Sequence, residues 1–409
     1  MKNGRIEEYA RLLVKTGVNL QEGQLLVISS PIETAEFARM VAKAGYDAGA
    51  RDVIVKWNDD LMEKLRLQSA PEEALEYYPD WEKDFYNHSA RQGAAYISIY
   101  AEDPGVFKDV DADRIAKVQK VRGPAVKEYR ERRMSNQNRW TVASAATAAW
   151  ARQVFPGIGE EEAVEKLWDV ILASVRADVE DPENAWTNHK ESFREKKKFM
   201  NENQFIKLHF KNSIGTDLVV ELPENHLWIG GSETAADAVE FVANMPTEEI
   251  FTVPMKTNVN GKVVASKPLI FNGNLIDDFY IVFKDGKAVE FEAREGHETL
   301  KNLIEMDEGS CYLGEVALVP FDSPISRQDI LFLNTLFDEN ASCHLALGKA
   351  YPICVKNSQH LSEADLEKIG VNDSIVHADF MFGTEDLEII GTTAKGSQVP
   401  VFVKGNFAF

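Results

Sequence analysis

The stretch QLLVISS at 24–30, with ETAEFARMVAKAGYDAGA at 33–50 and DVIVKW at 52–57, decides the fold of the first half of the chain. QLLVISS reads as a buried strand, the second segment as a helix, and DVIVKW as another strand, which makes a βαβ unit. Working outward, IEEYARLLVKTG carries Ile6, Tyr9, Leu12 and Leu13 at helical spacing. Further strands are expected at AYISIY (95–100) and RWTVASAA (139–146). Between them lies the charged helical stretch DRIAKVQKVRGPAVKEYRERRM, with a break or kink expected at Gly123-Pro124. Strands alternating with helices imply an α/β domain with a mainly parallel sheet.

From about 159 to 203 the pattern is helical and highly charged, and its EKKKF run at 195–199 reads as a solvated helix face bridging to a second domain. Beyond 204 the sequence changes to short strands and turns, including FIKLHF, TDLVVEL, KVVASK, CYLGEVALVP, SIVHADFMFG and VPVFVKGNF. Asp285-Gly286 between IVFK and KAVEFEA is a hairpin signal. Helices are expected at HETLKNLIEMD and SRQDILFLNTLFDE. The expected organisation is an α/β domain with its helical bridge over 1–203 and an α+β domain over 204–409.

Composition narrows the function classes. The 409 residues include 45 Lys+Arg against 66 Asp+Glu, a formal charge of −21, which gives no net field to attract a nucleic acid. With 44% hydrophobic and 27% charged residues the chain is a folded globular protein of two or three domains. Cys311, Cys343 and Cys354 form no CxxC, which points to a reducing, cytoplasmic compartment. No export signal and no apolar run of about 18 residues is found, so no membrane partner is expected. The glycine signatures GxGxxG and GxxxxGK[ST] are missing, as are GxSxG and HExxH. Cys343 and His344 are adjacent, so on an extended chain they point to opposite faces rather than forming a thiol–imidazole pair.

The informative residues are acids and histidines set in apolar sequence. In SIVHADFMFG, alternation puts Val376, Ala378, Phe380 and Phe382 on one face and Ile375, His377, Asp379 and Met381 on the other. Burying that imidazole and carboxylate is costly unless they are paired or bind a metal. Glu315 is the one charged residue in CYLGEVALVP. LFDENASCHLALGKAY offers Glu339, His344 and Tyr351, and NMPTEEIFTVP offers Glu248 and Glu249, between which alternation does not choose. Carboxylates and imidazoles without thiolate clusters suit Zn²⁺, Mn²⁺ or Co²⁺. Their number exceeds the needs of one tetrahedral ion and suggests two metals sharing a bridging carboxylate.

NMPTEEIFTVP, the Gly-Glu-Val of YLGEVALVP, FDENASCHLALGKAYP and VHADFMFG together resemble the thermophilic-metalloprotease family of metal-dependent aminopeptidases, the aminopeptidase T, aminopeptidase S and PepS type. The resemblance runs over essentially the whole chain. It implies an N-terminal α/β domain, a C-terminal metal-bearing domain and a homodimer enclosing the site. It also implies Glu249, Glu315, Glu339, His344, His377 and Asp379 as ligands of two divalent ions per subunit (Co, Zn, Mn or Mg), with Glu315 bridging. Tyr351 matches a tyrosine lining the site, where it could donate a hydrogen bond to a developing oxyanion. The expected reaction is hydrolysis of the first bond of peptides with a free N-terminus and broad specificity, through a water activated by two metals. The alternatives are a two-metal hydrolase of another ester or phosphoester, and a non-catalytic peptide- or metal-binding protein.

Overall fold

The computed structural model describes residues 2–101, 103, 105–271 and 274–409. The chain forms two compact units, Met1–His189 with Ser232–Pro246, and Lys190–Gly231 with Thr247–Phe409. The sequence reading divides the chain at 203/204, whereas the compact units divide inside helix Pro182–Asn203. That helix is continuous, so its sequence carries no stop signal at the division. Ser232–Pro246 returns to the first unit, where its backbone makes a single bridge to Val142: the Val142 N–H donates to Ala243 O (2.8 Å) and the Met245 N–H to Val142 O (2.9 Å).

In the first unit, β1 (Leu25–Pro31), β2 (Asp52–Asn58), β3 (Ala95–Tyr100) and β4 (Trp140–Ser144) form a parallel sheet of order β2-β1-β3-β4. Leu26, Ile28 and Ile97 are fully buried in it, which is why these strands read as apolar runs. Helix Ala35–Asp47 makes the first crossover and buries Phe37, Ala38, Val41, Ala44 and Gly45. The break expected at Gly123-Pro124 comes slightly later: helix Ala112–Ala125 retains Pro124 in its last turn, and a second helix starts at Lys127. Proline lacks only its own N–H, so the chain completes the turn before it breaks.

The second unit contains two antiparallel sheets. The larger runs in the order Leu269–Phe271, Asn274–Lys284, Val259–Val264, Asp217–Glu221, Phe205–Lys211, Glu388–Thr393, Gln398–Val403 and Asn406–Phe407, with Lys287–Glu295 also paired to Asn274–Lys284. Its Asp285-Gly286 turn has positive φ at both residues (49° and 82°), as a two-residue hairpin requires. The smaller sheet comprises β5 (Ile250–Thr252), β6 (Leu313–Leu318), β7 (His344–Gly348) and β8 (His377–Met381), in the order β8-β7-β6-β5. One of its faces, with Ile250, Val316, Leu318, Leu345, Leu347, Ala378 and Phe380, lies in the main hydrophobic core.

Helix His297–Ile304 forms where expected, but SRQDILFLNTLFDE does not form one helix. It breaks into short turns at Ser326–Gln328 and Thr335–Asp338, with Asp329 and Leu333 at positive φ between them. The cause is Asp338, whose carboxylate accepts the N–H groups of Phe332 (2.7 Å) and Asn334 (2.9 Å) and folds the segment back on itself. Among the described residues no helix is long and apolar enough to cross a membrane.

Candidate metal centre

The register of the smaller sheet determines which side chains meet on its second face. Glu315 lies opposite Ala346, and Ala346 opposite Asp379. His344 lies between Ala317 and Met381 in the next row, and His377 lies opposite Gly348. Residues paired across antiparallel strands project to the same side, so Glu315, His344, His377 and Asp379 share a face. Ala317, Ala346 and Gly348 keep the middle of that face free of bulk.

Glu315 reaches this face only because β6 contains a bulge. Leu313 pairs with Leu347 on the core side, and an unbroken register would send Glu315 to that side as well. Pairing resumes as Glu315 with Ala346, leaving Gly314 as the extra residue and turning the glutamate over to the other face. A Cβ on Gly314 would collide with the carbonyl oxygens of Gly348 and Lys349. Glycine at this position is therefore a steric requirement.

Two groups of ligand atoms converge: Glu249, Glu315 and His344 form one, and Glu315, His377 and Asp379 the other, each within 4.8 Å. His344 Nε2 is 3.1 Å from Glu249 Oε2 and 3.6 Å from Glu315 Oε1. His377 Nε2 is 3.6 Å from Glu315 Oε2 and 3.3 Å from Asp379 Oδ1. Glu315 thus belongs to both groups and directs one oxygen toward each histidine. The Nδ1 atoms lie against carbonyl oxygens, His344 with Ser342 O at 3.1 Å and His377 with Lys349 O at 2.6 Å. A carbonyl only accepts, so Nδ1 carries hydrogen in both rings and Nε2 is the atom presented to the acids.

The charges are out of balance without a cation. Burial, followed by the neighbouring Asp379 and Glu249 carboxylates, pushes Glu315 up to about 7 against the opposing pull of His344. Burial raises Glu339 well above the ordinary carboxylate range, and Glu249 and Asp379 add to it. For the histidines burial acts downward, but the adjacent acids outweigh it, so His377 is pushed up to about 9 and His344 also rises. Burial would raise Asp379, yet the two imidazoles hold it below its usual value. Although close to histidine, Glu249 Oε2 and Asp379 Oδ1 are buried and have no aligned hydrogen-bond partner. Glu249 belongs to the first converging group and Asp379 to the second. Carboxylate and imidazole donors arranged in this way fit divalent Zn²⁺, Mn²⁺ or Co²⁺.

The other sequence candidates occupy distinct places. Glu248 is in neither converging group, whereas Glu249 is in one. Glu339 borders the centre electrostatically without joining either group. The Tyr351 ring packs 4.8 Å from that of His377, and although the residue is partly exposed, desolvation around its hydroxyl together with the surrounding acids raises it, so it stays protonated. Cys343 turns away from the site, where its thiol pairs with the Val319 backbone and burial pushes it up to about 12.

Sequence reasoning missed Asn340. This fully buried amide accepts the Glu248 N–H at 2.6 Å and donates to Leu336 O at 2.9 Å, tying the segment that bears Glu249 to the one that bears Glu339. An asparagine beside a candidate acid carries no periodic signal that could have revealed this.

A family model described as thermophilic metalloprotease (M29) matches residues 2–407. Aminopeptidase AmpS of Bacillus subtilis (strain 168) is 45% identical over 99% of this chain and 98% of its own. Aminopeptidase T of Thermus thermophilus is 39% identical over 98% of both chains. The solved structure of wild-type AmpT from Thermus thermophilus superposes with a TM-score of 0.92 at 37% identity, covering 100% of each chain.

Proposed function

The chain belongs to the thermophilic metalloprotease (M29) family, and on that premise we propose how its converging acids and histidines serve a metal-dependent aminopeptidase. The enzyme is a metalloaminopeptidase, a hydrolase acting on peptides. Our reading is that Glu249 and His344 would hold one divalent ion and His377 and Asp379 a second, with Glu315 a candidate ligand common to both. The observation that carries it is the membership of Glu315 in both groups, with one oxygen toward each histidine. Divalent ions held there would supply a Lewis acid for the scissile carbonyl and would lower the pKa of a water toward neutrality.

The protein's own groups provide the rest. The Ser342 and Lys349 carbonyls hold the His344 and His377 rings with Nε2 inward. Tyr351, kept protonated, offers a hydrogen bond to oxygen as negative charge develops, an effect worth roughly 2.7–4 kcal/mol for one donor in comparable sites. The acids on this face attract the cationic amino terminus of a peptide, which restricts attack to the first bond. Glu339 either ligates an ion or carries a proton at the same centre, and Glu339→Gln separates the two roles. Loss of bound metal marks a ligand, whereas a lower kcat with metal retained marks a proton carrier. The working assembly in this reading is a cytoplasmic homodimer.

The test is to strip the protein with chelator, titrate it with Co²⁺, Zn²⁺, Mn²⁺ and Mg²⁺, and follow aminoacyl anilides beside their N-acetylated forms. The expected result is two ions per subunit at saturation, activity restored with them, and no cleavage of the acetylated compounds. Equal rates on acetylated and free amines would remove the exopeptidase assignment. Saturation at one ion per subunit would remove the bridging role of Glu315. A chelator-sensitive phosphoesterase activity without anilide cleavage would favour the phosphoester alternative.

A further inference from the structure

The row containing His344 continues beyond the ligands into apolar side chains. Phe251 on β5 lies opposite Ala317, and Ala317 lies opposite His344. Beyond β5, Ile229 exchanges two backbone hydrogen bonds with Phe251, at 3.0 and 2.9 Å. Paired antiparallel residues project to one side, so Ile229, Phe251, Ala317 and His344 form a continuous row on the face that carries Glu315 and Asp379. Glu249, two residues before Phe251, projects to that face as well, in keeping with its 3.1 Å approach to His344. Gly230 makes this close passage possible: its φ is 128°, and a Cβ there would collide with the Glu249 carbonyl.

Tyr351 closes the corner, its ring 6.0 Å from Phe251 and 4.8 Å from His377. Ile229 and Phe251 are only partly buried, resting against Val253, Ala350, Cys354, Val355 and Val371, and Tyr351 is 42% exposed. At the opposite end of the row Met381 is 5% exposed and closed off. Among the described residues of this row, Ile229 and Phe251 at the β5 end keep partly exposed apolar surface, and Met381 at the other end does not.

We propose that Ile229, Phe251 and Tyr351 form the subsite for the side chain of the substrate's N-terminal residue and favour branched or aromatic side chains over small ones. The inference rests on the aminopeptidase reading. With its amine and carbonyl at the ligands, a bound residue projects its side chain along the sheet face, where these three groups offer the apolar surface. Ala317 supplies the gap between ligands and subsite.

The test compares Phe251→Ala, Phe251→Leu and wild type in kcat/KM for leucyl and alanyl anilides, alongside metal titration and binding of free L-leucine and L-alanine to the metal-loaded protein. Phe251→Ala is expected to lower the leucyl-to-alanyl ratio by at least about 10-fold, the low end for one methylene in an apolar pocket. The leucyl rate should fall much further than the alanyl rate, metal titration should not follow that difference, and leucine should lose its binding advantage over alanine. Phe251→Leu, which fills most of the same volume, should keep the preference for leucine and guards against a folding defect in the alanine variant. An equal fall for both substrates, or an unchanged ratio, overturns the subsite. If wild type cleaves neither anilide, the aminopeptidase reading has failed instead, and the amino-acid binding difference still reports on Phe251.

Discussion

The smaller sheet presents two opposite chemistries on the same few residues. Along β6 to β8, Val316, Leu318, Leu345, Leu347, Ala378 and Phe380 alternate with Glu315, Ala317, His344, Ala346, His377 and Asp379. The first set stabilises the fold through removal of apolar surface from water, roughly 1.5–3 kcal/mol for each large side chain. The acids and histidines of the second act against it, because a buried ion costs several kcal/mol unless compensated. The strands hold both because a pleated backbone separates neighbours to opposite sides, so the core face can anchor the very positions that the other face strains. Rigidity for the site thus comes from the residues between the ligands.

Substitutions on each side should separate these two roles. The largest effect is expected for Glu315→Ala, which should lower activity by more than about 100-fold, beyond the loss typical of a residue supporting a ligand. Metal should raise the melting temperature of wild type, by the equivalent of about 2.7 kcal/mol at a hundredfold excess over Kd, and should not raise that of the variant. Glu315→Gln, which removes a buried charge at constant shape, should leave the metal-free protein melting no lower than wild type. A large destabilisation would show that Glu315 is structural.

On the core face, Leu345→Ala should cost about 2–5 kcal/mol in denaturant unfolding, while the folded variant still titrates with metal. A variant that folds fully but binds no metal would undo the separation of the two faces. Asn340→Ala comes next: losing its bond to the Glu248 N–H should weaken metal binding by roughly 10–100-fold with a smaller change in stability.

The smallest effect concerns an acid that needs no cation. Burial would raise Asp307, but hydrogen bonds from Ile375, Ser374, Ser310 and Gly309 hold it below its ordinary value and fasten the approach to β8. A carboxyl depressed in the folded state stabilises fully above its unfolded pKa, about 3.9, and loses that contribution as pH falls through the folded value. Wild type should therefore melt higher than Asp307→Asn at neutral pH, with the gap closing below about pH 4. A gap independent of pH would assign the effect to shape alone.

Much of this was legible from the residues. The βαβ unit at 24–57 and the Asp285-Gly286 hairpin are local patterns, and the structure contains both. The faces of β8 follow from alternation, although Ile375, expected beside His377, precedes the strand and is 80% exposed. The segment at 326–339 misled because its apolar spacing suits a helix, while the bonds from Phe332 and Asn334 to Asp338 that prevent one depend on the folded loop. Family motifs singled out Glu249 over Glu248, a choice that alternation left open.

By itself the sequence determined which residue types were available: acids and histidines placed where an apolar strand would otherwise continue, without thiolates and without a net positive charge. It determined the periodicities too, because side-chain direction in a strand repeats every two residues regardless of context. Only the tertiary structure decided that four separate segments meet on one face, that Gly314 turns Glu315 toward both histidines, and that Asn340 and two backbone carbonyls orient the acids and rings around them. The physical reason is that register, bulges and buried hydrogen bonds are properties of paired segments, and the pairing is made by the fold.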